Sequence, residues 1–161
     1  MLMVTQVYAL SPKPMALEPK TVHIAATMGG LSHMAWALEI GKILVERGHN
    51  VSFLTKEPFL KIGERYAPFV KTISLGTHKS KIQFRDLFDT EDPLSSVLFQ
   101  SYSQMIEDLY TDEYRIYIDV FKSSNTSIVL CDQMTLACID AAKTLKIPTI
   151  VYMTMSLSDG N

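Results

Sequence analysis

TVHIAATMGGLSHMAWALEIGKILVERGHNVSFLT, residues 21 to 55, contains three elements in succession. Thr21 to Thr27 is a short, largely apolar run that reads as a buried strand, and it ends at Gly29-Gly30. Ser32 is the expected N-cap of the following helix. Along that helix Ala37, Ile40, Gly41 and Leu44 recur with i, i+3, i+4, i+7 spacing. Glu39, Lys42 and Glu46 mark the wet side, and Gly48 stops the helix. Val51 to Thr55 is the next strand. Strand, helix and strand with such short joints predict a right-handed βαβ unit in a parallel sheet.

The same alternation runs on. Residues 57 to 66 read as a short helix opened by Pro58, and Phe69 to Ser74 as a third strand. Residues 76 to 92 are polar and irregular, and 93 to 122 carry a long amphipathic helical stretch expected to be broken. Ser127 to Cys131 is a fourth strand, 134 to 145 a helix, and Ile147 to Tyr152 a fifth strand. The pattern predicts an α/β fold, a Rossmann-like doubly wound parallel sheet, over residues 21 to 161. Pro12, Pro14 and Pro19 keep residues 11 to 20 out of helix and central strand, so 1 to 20 is set apart as a tail or a signal remnant.

Composition narrows the function classes. With 47% hydrophobic and 20% charged residues and a net charge of −2, the chain has ordinary globular composition and no basic surface for nucleic acid. Cys131 and Cys138 match no metal or redox spacing and read as small core residues. No His, Cys and carboxylate cluster suggests a metal. MLMVTQVYAL (residues 1 to 10) ends like a secretory signal but lacks a basic start. The triplets Asn50-Val51-Ser52 and Asn125-Thr126-Ser127 would suit the lumen of the endoplasmic reticulum. The tail reading, and with it a cytoplasmic chain, is preferred.

Topology picks out the chemistry. In a sheet ordered 3-2-1-4-5, ligands bind above the carboxyl ends of strands one and four. His33 follows strand one and Asp132 follows strand four, so residues 99 apart in sequence share one lip of one crevice. A neutral histidine there can take a proton from a hydroxyl, and a carboxylate on its far nitrogen would fix its tautomer. The simpler account makes His33 a first-turn helix residue and Asp132 a helix cap, and spacing does not choose between them. Met28, Met34 and Met134 flank the crevice, and Gly29 and Gly30 let the backbone pass close beneath a ligand. Scattered methionines also serve simply as core. Gly29-Gly30-Leu31-Ser32-His33 lacks G-x-G-x-x-G, which weakens a dinucleotide loop. His23, inside strand one, reads as structural.

Two blocks carry a resemblance. SHMAWALEIGKILVERGHNVSFLT (32 to 55) and IVLCDQMTLACIDAAKTLKIPTIVY (128 to 152) resemble the UDP-glycosyltransferase family of glucuronosyl- and glucosyltransferases. The first holds a histidine opening the helix and Arg47-Gly48-His49-Asn50-Val51 entering strand two. The second holds the aspartate after strand four and an Ile-Pro strand start. The resemblance implies a GT-B enzyme, a hexosyltransferase, with His33 as catalytic base and Asp132 as its support. It implies that this chain is the N-terminal, acceptor-binding domain, truncated. Its acceptor would be a small apolar molecule bearing a hydroxyl. A UDP-sugar would serve as co-substrate rather than cofactor, bound mainly by a domain with no counterpart here, whether joined or on a separate chain. On that account the isolated chain is expected to be inactive. The alternatives are a non-catalytic small-molecule- or partner-binding module of the same descent and a nucleotide-binding Rossmann domain.

Overall fold

The computed structural model describes residues 18–77 and 96–153. Five parallel strands form one sheet in the order β3-β2-β1-β4-β5: β1 (Thr21–Ala25), β2 (Asn50–Thr55), β3 (Lys71–Ser74), β4 (Ile128–Asp132) and β5 (Thr149–Tyr152). Four helices connect or cover them: α1 (Leu31–Glu46), α2 (Leu60–Glu64, after a 3₁₀ turn at Glu57–Phe59), α3 (Ser96–Ser123) and α4 (Leu136–Thr144). Successive side chains of a strand point to opposite faces, so strands covered on both sides are apolar throughout. β1 is buried on both faces, with His23 its one buried polar residue. Val22 and Ile24 join Met34, Ala37, Leu38, Phe53 and Val70 in one core, while Ala25 joins Tyr117, Phe121, Cys138 and Ala141 in the other. Full burial of a side chain such as Ile24 or Phe53, both 0% exposed, contributes about 1.5–3 kcal/mol.

Three expectations are corrected here. α1 begins at Leu31 with Gly30 as its N-cap, and no side chain caps it, so Ser32 lies within the first turn. Gly29 adopts φ +84 and turns the chain before Ser32 is reached. The buried stripe of α1 is Met34, Ala37, Leu38 and Gly41, and Ile40 is 36% exposed. Gly41 sets that rotation. A Cβ there would stand 2.8 Å from Ile24 Cδ1, so the helix rests on the sheet through its smallest residue. Ile40 instead borders an apolar groove of about 530 Å³, which Val22, Leu44, Ile128, Leu130 and Ile150 also line. Finally, α3 runs unbroken from Ser96 to Ser123, because that run contains neither glycine nor proline to interrupt its hydrogen bonds.

Candidate functional site

The site is built where β1 and β4, adjacent and in register from Val22↔Ile128 to Ala25↔Cys131, reach their carboxyl ends. Beyond Ala25 the chain is held residue by residue. The Ala26 peptide nitrogen donates to Leu54 O at 3.2 Å, and the Thr55 hydroxyl donates to Ala26 O at 2.6 Å. Thr27 Oγ1 donates to Glu113 Oε2 at 3.1 Å. Gly29 then reverses direction and α1 starts, which puts His33 in its first turn, its peptide nitrogen on Gly30 O at 3.0 Å.

Gly29 does more than turn the backbone. A Cβ there would come within 2.7 Å of His33 Cγ and 2.8 Å of Cδ2. The imidazole lies back over this glycine. From there Nδ1 reaches Asp132 Oδ2 at 3.0 Å. Asp132 is the last residue of β4, its side chain fully buried, whereas the His33 side chain is 14% exposed. Its other oxygen, Oδ1, accepts the Met134 peptide N–H at 2.8 Å, and its carbonyl accepts Thr135 N–H at 2.9 Å. An ionised carboxylate can only accept, so an imidazole facing it carries hydrogen on Nδ1 and accepts through Nε2. Asp132 thus both caps its own turn and orients the histidine.

The other candidates separate into two groups. Met28 is 4% exposed and packs with Met105, Leu109 and the half-buried Met134 in a small cluster beside the β1–α1 loop. Met34, expected at the crevice, is 0% exposed in the core under α1, because it points from the helix onto the sheet. Gly30 is exposed, with open space around the position of a Cβ. Most of the polar, irregular stretch 76 to 92, with the residues up to 95, lies outside the described residues. Among the described residues no group of three or more His, Cys, Asp or Glu could hold a metal.

Two features of this region escaped the sequence reading. The first is a buried ion pair, Lys56 Nζ to Glu113 Oε1 at 3.5 Å, with residue exposures of 2% and 3%. Lys56 also donates to Leu75 O at 3.4 Å, and with Thr27 it ties β2, α3 and the β1–α1 loop together. Desolvation raises the Glu113 carboxyl above its ordinary range, although Lys56 and the Thr27 hydrogen bond pull the other way. The signal was present. Met105, Leu109, Tyr117 and Phe121 recur every four residues along α3, and Glu113 is the one acid in that apolar line.

The second is a disulfide. Cys131 and Cys138, read from sequence as two small core residues, are bonded, with Cα atoms 6.0 Å apart. The chain turns sharply at 133 to 135, so the first turn of α4 folds back onto the end of β4. The bond closes the short loop that carries Asp132 and Met134.

No protein-family model matches the chain, and no curated protein matches it. Solved structures do. The chain is similar to the kitacinnamycin glycosyltransferase (12% identity, TM-score 0.60, covering 85% of this chain and 31% of that one). It is similar to a calicheamicin glycosyltransferase (14%, TM-score 0.60, 85% and 33%). It is also similar to Phytolacca americana UGT2, solved with UDP-2-fluoroglucose and pterostilbene (16%, TM-score 0.55, 88% and 32%). The chain spans about a third of the length of these proteins. At such identities the likeness is one of fold: this chain has the Rossmann-like fold found in GT-B glycosyltransferases.

Proposed function

We propose that this chain is the acceptor-binding part of a UDP-sugar-dependent glycosyltransferase, in which His33 deprotonates the acceptor hydroxyl and Asp132 supports it. The observation that carries the reading is the His33 Nδ1–Asp132 Oδ2 contact of 3.0 Å at the carboxyl ends of the two central strands. With Nδ1 held by Asp132, Nε2 would take the proton of a bound acceptor hydroxyl, and the buried carboxylate would stabilise the imidazolium so formed. The oxygen so activated would attack the anomeric carbon of the donor as its bond to UDP breaks, inverting that centre. Gly29 and Gly30 give the acceptor close access to the backbone. Met28, with Met134, offers adaptable apolar contact for an aromatic or polycyclic alcohol.

Donor binding falls to a second domain in this reading, so chemistry needs both halves. The 161-residue chain is expected to give no transfer from a UDP-sugar to a phenolic alcohol above background. Fused to, or mixed with, the donor-binding domain of a GT-B glycosyltransferase, it is expected to transfer. In that enzyme His33→Ala costs ~10²-fold or more in kcat/KM, the usual weight of a general base. His49→Ala costs little, because His49 accepts Lys20 N–H at 3.2 Å at the opposite, amino end of the strands. Equal losses from the two variants would remove His33 from this role, and transfer by the chain alone would relocate the donor site.

A further inference from the structure

The Cys131–Cys138 disulfide says something about where this chain resides. Both cysteines are fully buried. Protein disulfides persist in oxidising compartments and are rare where thiols are kept reduced. In an oxidising, luminal setting an Asn-x-Ser triplet becomes an acceptor for N-linked oligosaccharide. The two triplets of this sequence are not equivalent in the fold. Asn50 opens β2, hydrogen-bonded to Lys20 O at 2.8 Å, and its triplet runs into the sheet, with Ser52 flanked by His23 and Lys71. Asn125-Thr126-Ser127 instead occupies the turn between α3 and β4. Asn125, exposed like Asn50, adopts φ 50, a left-handed turn conformation that asparagine tolerates better than most residues. This turn lies at the amino end of β4, while Asp132 closes the carboxyl end. A large solvated group on Asn125 would therefore stand at the far end of the sheet from the His33–Asp132 pair.

We propose that Asn125 is an N-glycosylation site, modified in an oxidising compartment by an oligosaccharide carried on a lipid diphosphate. The side-chain amide nitrogen bonds to C1 of the first sugar as the C1–O bond to the diphosphate breaks. The diphosphate leaves with the electron pair, the amide nitrogen gives up one proton to base, and nothing is oxidised or reduced. Ser127 supplies the hydroxyl that the triplet requires. In the folded chain that hydroxyl accepts Thr21 N–H at 3.3 Å, so transfer takes place before β1 and β4 pair. The inference holds whether or not the chain takes part in sugar transfer itself.

The test expresses the 161-residue chain in a eukaryotic host behind a cleavable secretory leader. Mobility and intact mass are read before and after peptide-N-glycosidase, with the modified residue mapped by peptide mass. The leader-bearing chain is expected to carry a glycan that the enzyme removes, mapped to Asn125. Asn125→Gln abolishes it, Asn50→Gln leaves it in place, and Ser127→Thr, which keeps the hydroxyl, retains it. The proposal is overturned if the leader-bearing chain is unmodified or if the glycan maps to Asn50. Mapping on the unsubstituted chain keeps the result decisive even where a variant folds poorly.

Discussion

Substituting Gly29 by alanine strikes the site twice. At φ +84 an L-residue with a Cβ is strained by roughly 1–2 kcal/mol. The new methyl would also stand 2.7 Å from His33 Cγ and 2.8 Å from Cδ2, against an ordinary carbon contact of about 3.5–4 Å. The cheapest escape is rotation of the imidazole, and rotation breaks the 3.0 Å bond to Asp132. The backbone term cannot be relieved that way. Gly29→Ala is therefore expected to lower stability by about 2 kcal/mol and the melting temperature by ~4–8 °C. NMR of the ring nitrogens should show His33 no longer donating from Nδ1 to a carboxylate. Gly30→Ala is the control, because nothing lies within 4 Å of its Cβ position. It should change stability by no more than about 0.5 kcal/mol. A Gly29→Ala protein with unchanged melting temperature and an intact His33–Asp132 bond would refute the role given to this glycine.

Two further predictions concern buried charge. Lys56→Met leaves Glu113 buried without its cation and is expected to cost about 3–5 kcal/mol at neutral pH in urea denaturation. The sign follows from Glu113, whose folded pKa is raised by desolvation. Such an acid stabilises the fold below its unfolded pKa, and that stability is lost as pH rises through the folded value. The Lys56→Met deficit should therefore shrink toward acid pH, and a deficit independent of pH would discredit the pairing. His23, buried against Phe121 with Nε2 2.8 Å from Ser124 Oγ, is pushed down by desolvation from 6.5 to about 4. Its contribution is complete above 6.5 and disappears as pH falls toward about 4, a span of roughly 3 kcal/mol. His23→Asn should flatten the stability curve across that window, and an equally steep curve in the variant would place the titration elsewhere.

The strand order was legible in the sequence because it follows from period and topology, which also put His33 and Asp132 on one lip of the sheet; their pairing was favoured by the family resemblance and not by spacing. Apolar runs separated by amphipathic ones give βαβ units, and right-handed crossovers then leave strands one and four adjacent. What stayed illegible depended on contacts between distant segments or on a shift of one residue. The N-cap passed from Ser32 to Gly30 because Gly29 turns at positive φ, which a capping preference alone does not register. Met34 looked like a crevice residue from its neighbour His33. One step along a helix is 100°, enough to carry it into the core. Lys56 and Glu113 were not legible as a pair, since 57 positions separate them, although Glu113 stands out as the one acid in the apolar line of α3. The disulfide needed the tight return of α4 onto β4, which spacing in sequence does not disclose.

The pairing of β1 with both neighbours has a consequence for how the molecule assembles. β2 reaches β1 across a short segment, Thr21↔Asn50, while β4 must find Val22 from Ile128. Closing the longer segment costs about 1 kcal/mol more in chain entropy, and contacts so distant form late. The three-stranded unit β1–β2–β3 can thus assemble around α1 while Asp132 is still remote. His33 then sits on its helix as an ordinary imidazole with no carboxylate behind it. The His33–Asp132 bond forms only when the sheet closes across its middle, so a partly assembled or partly synthesised chain lacks it.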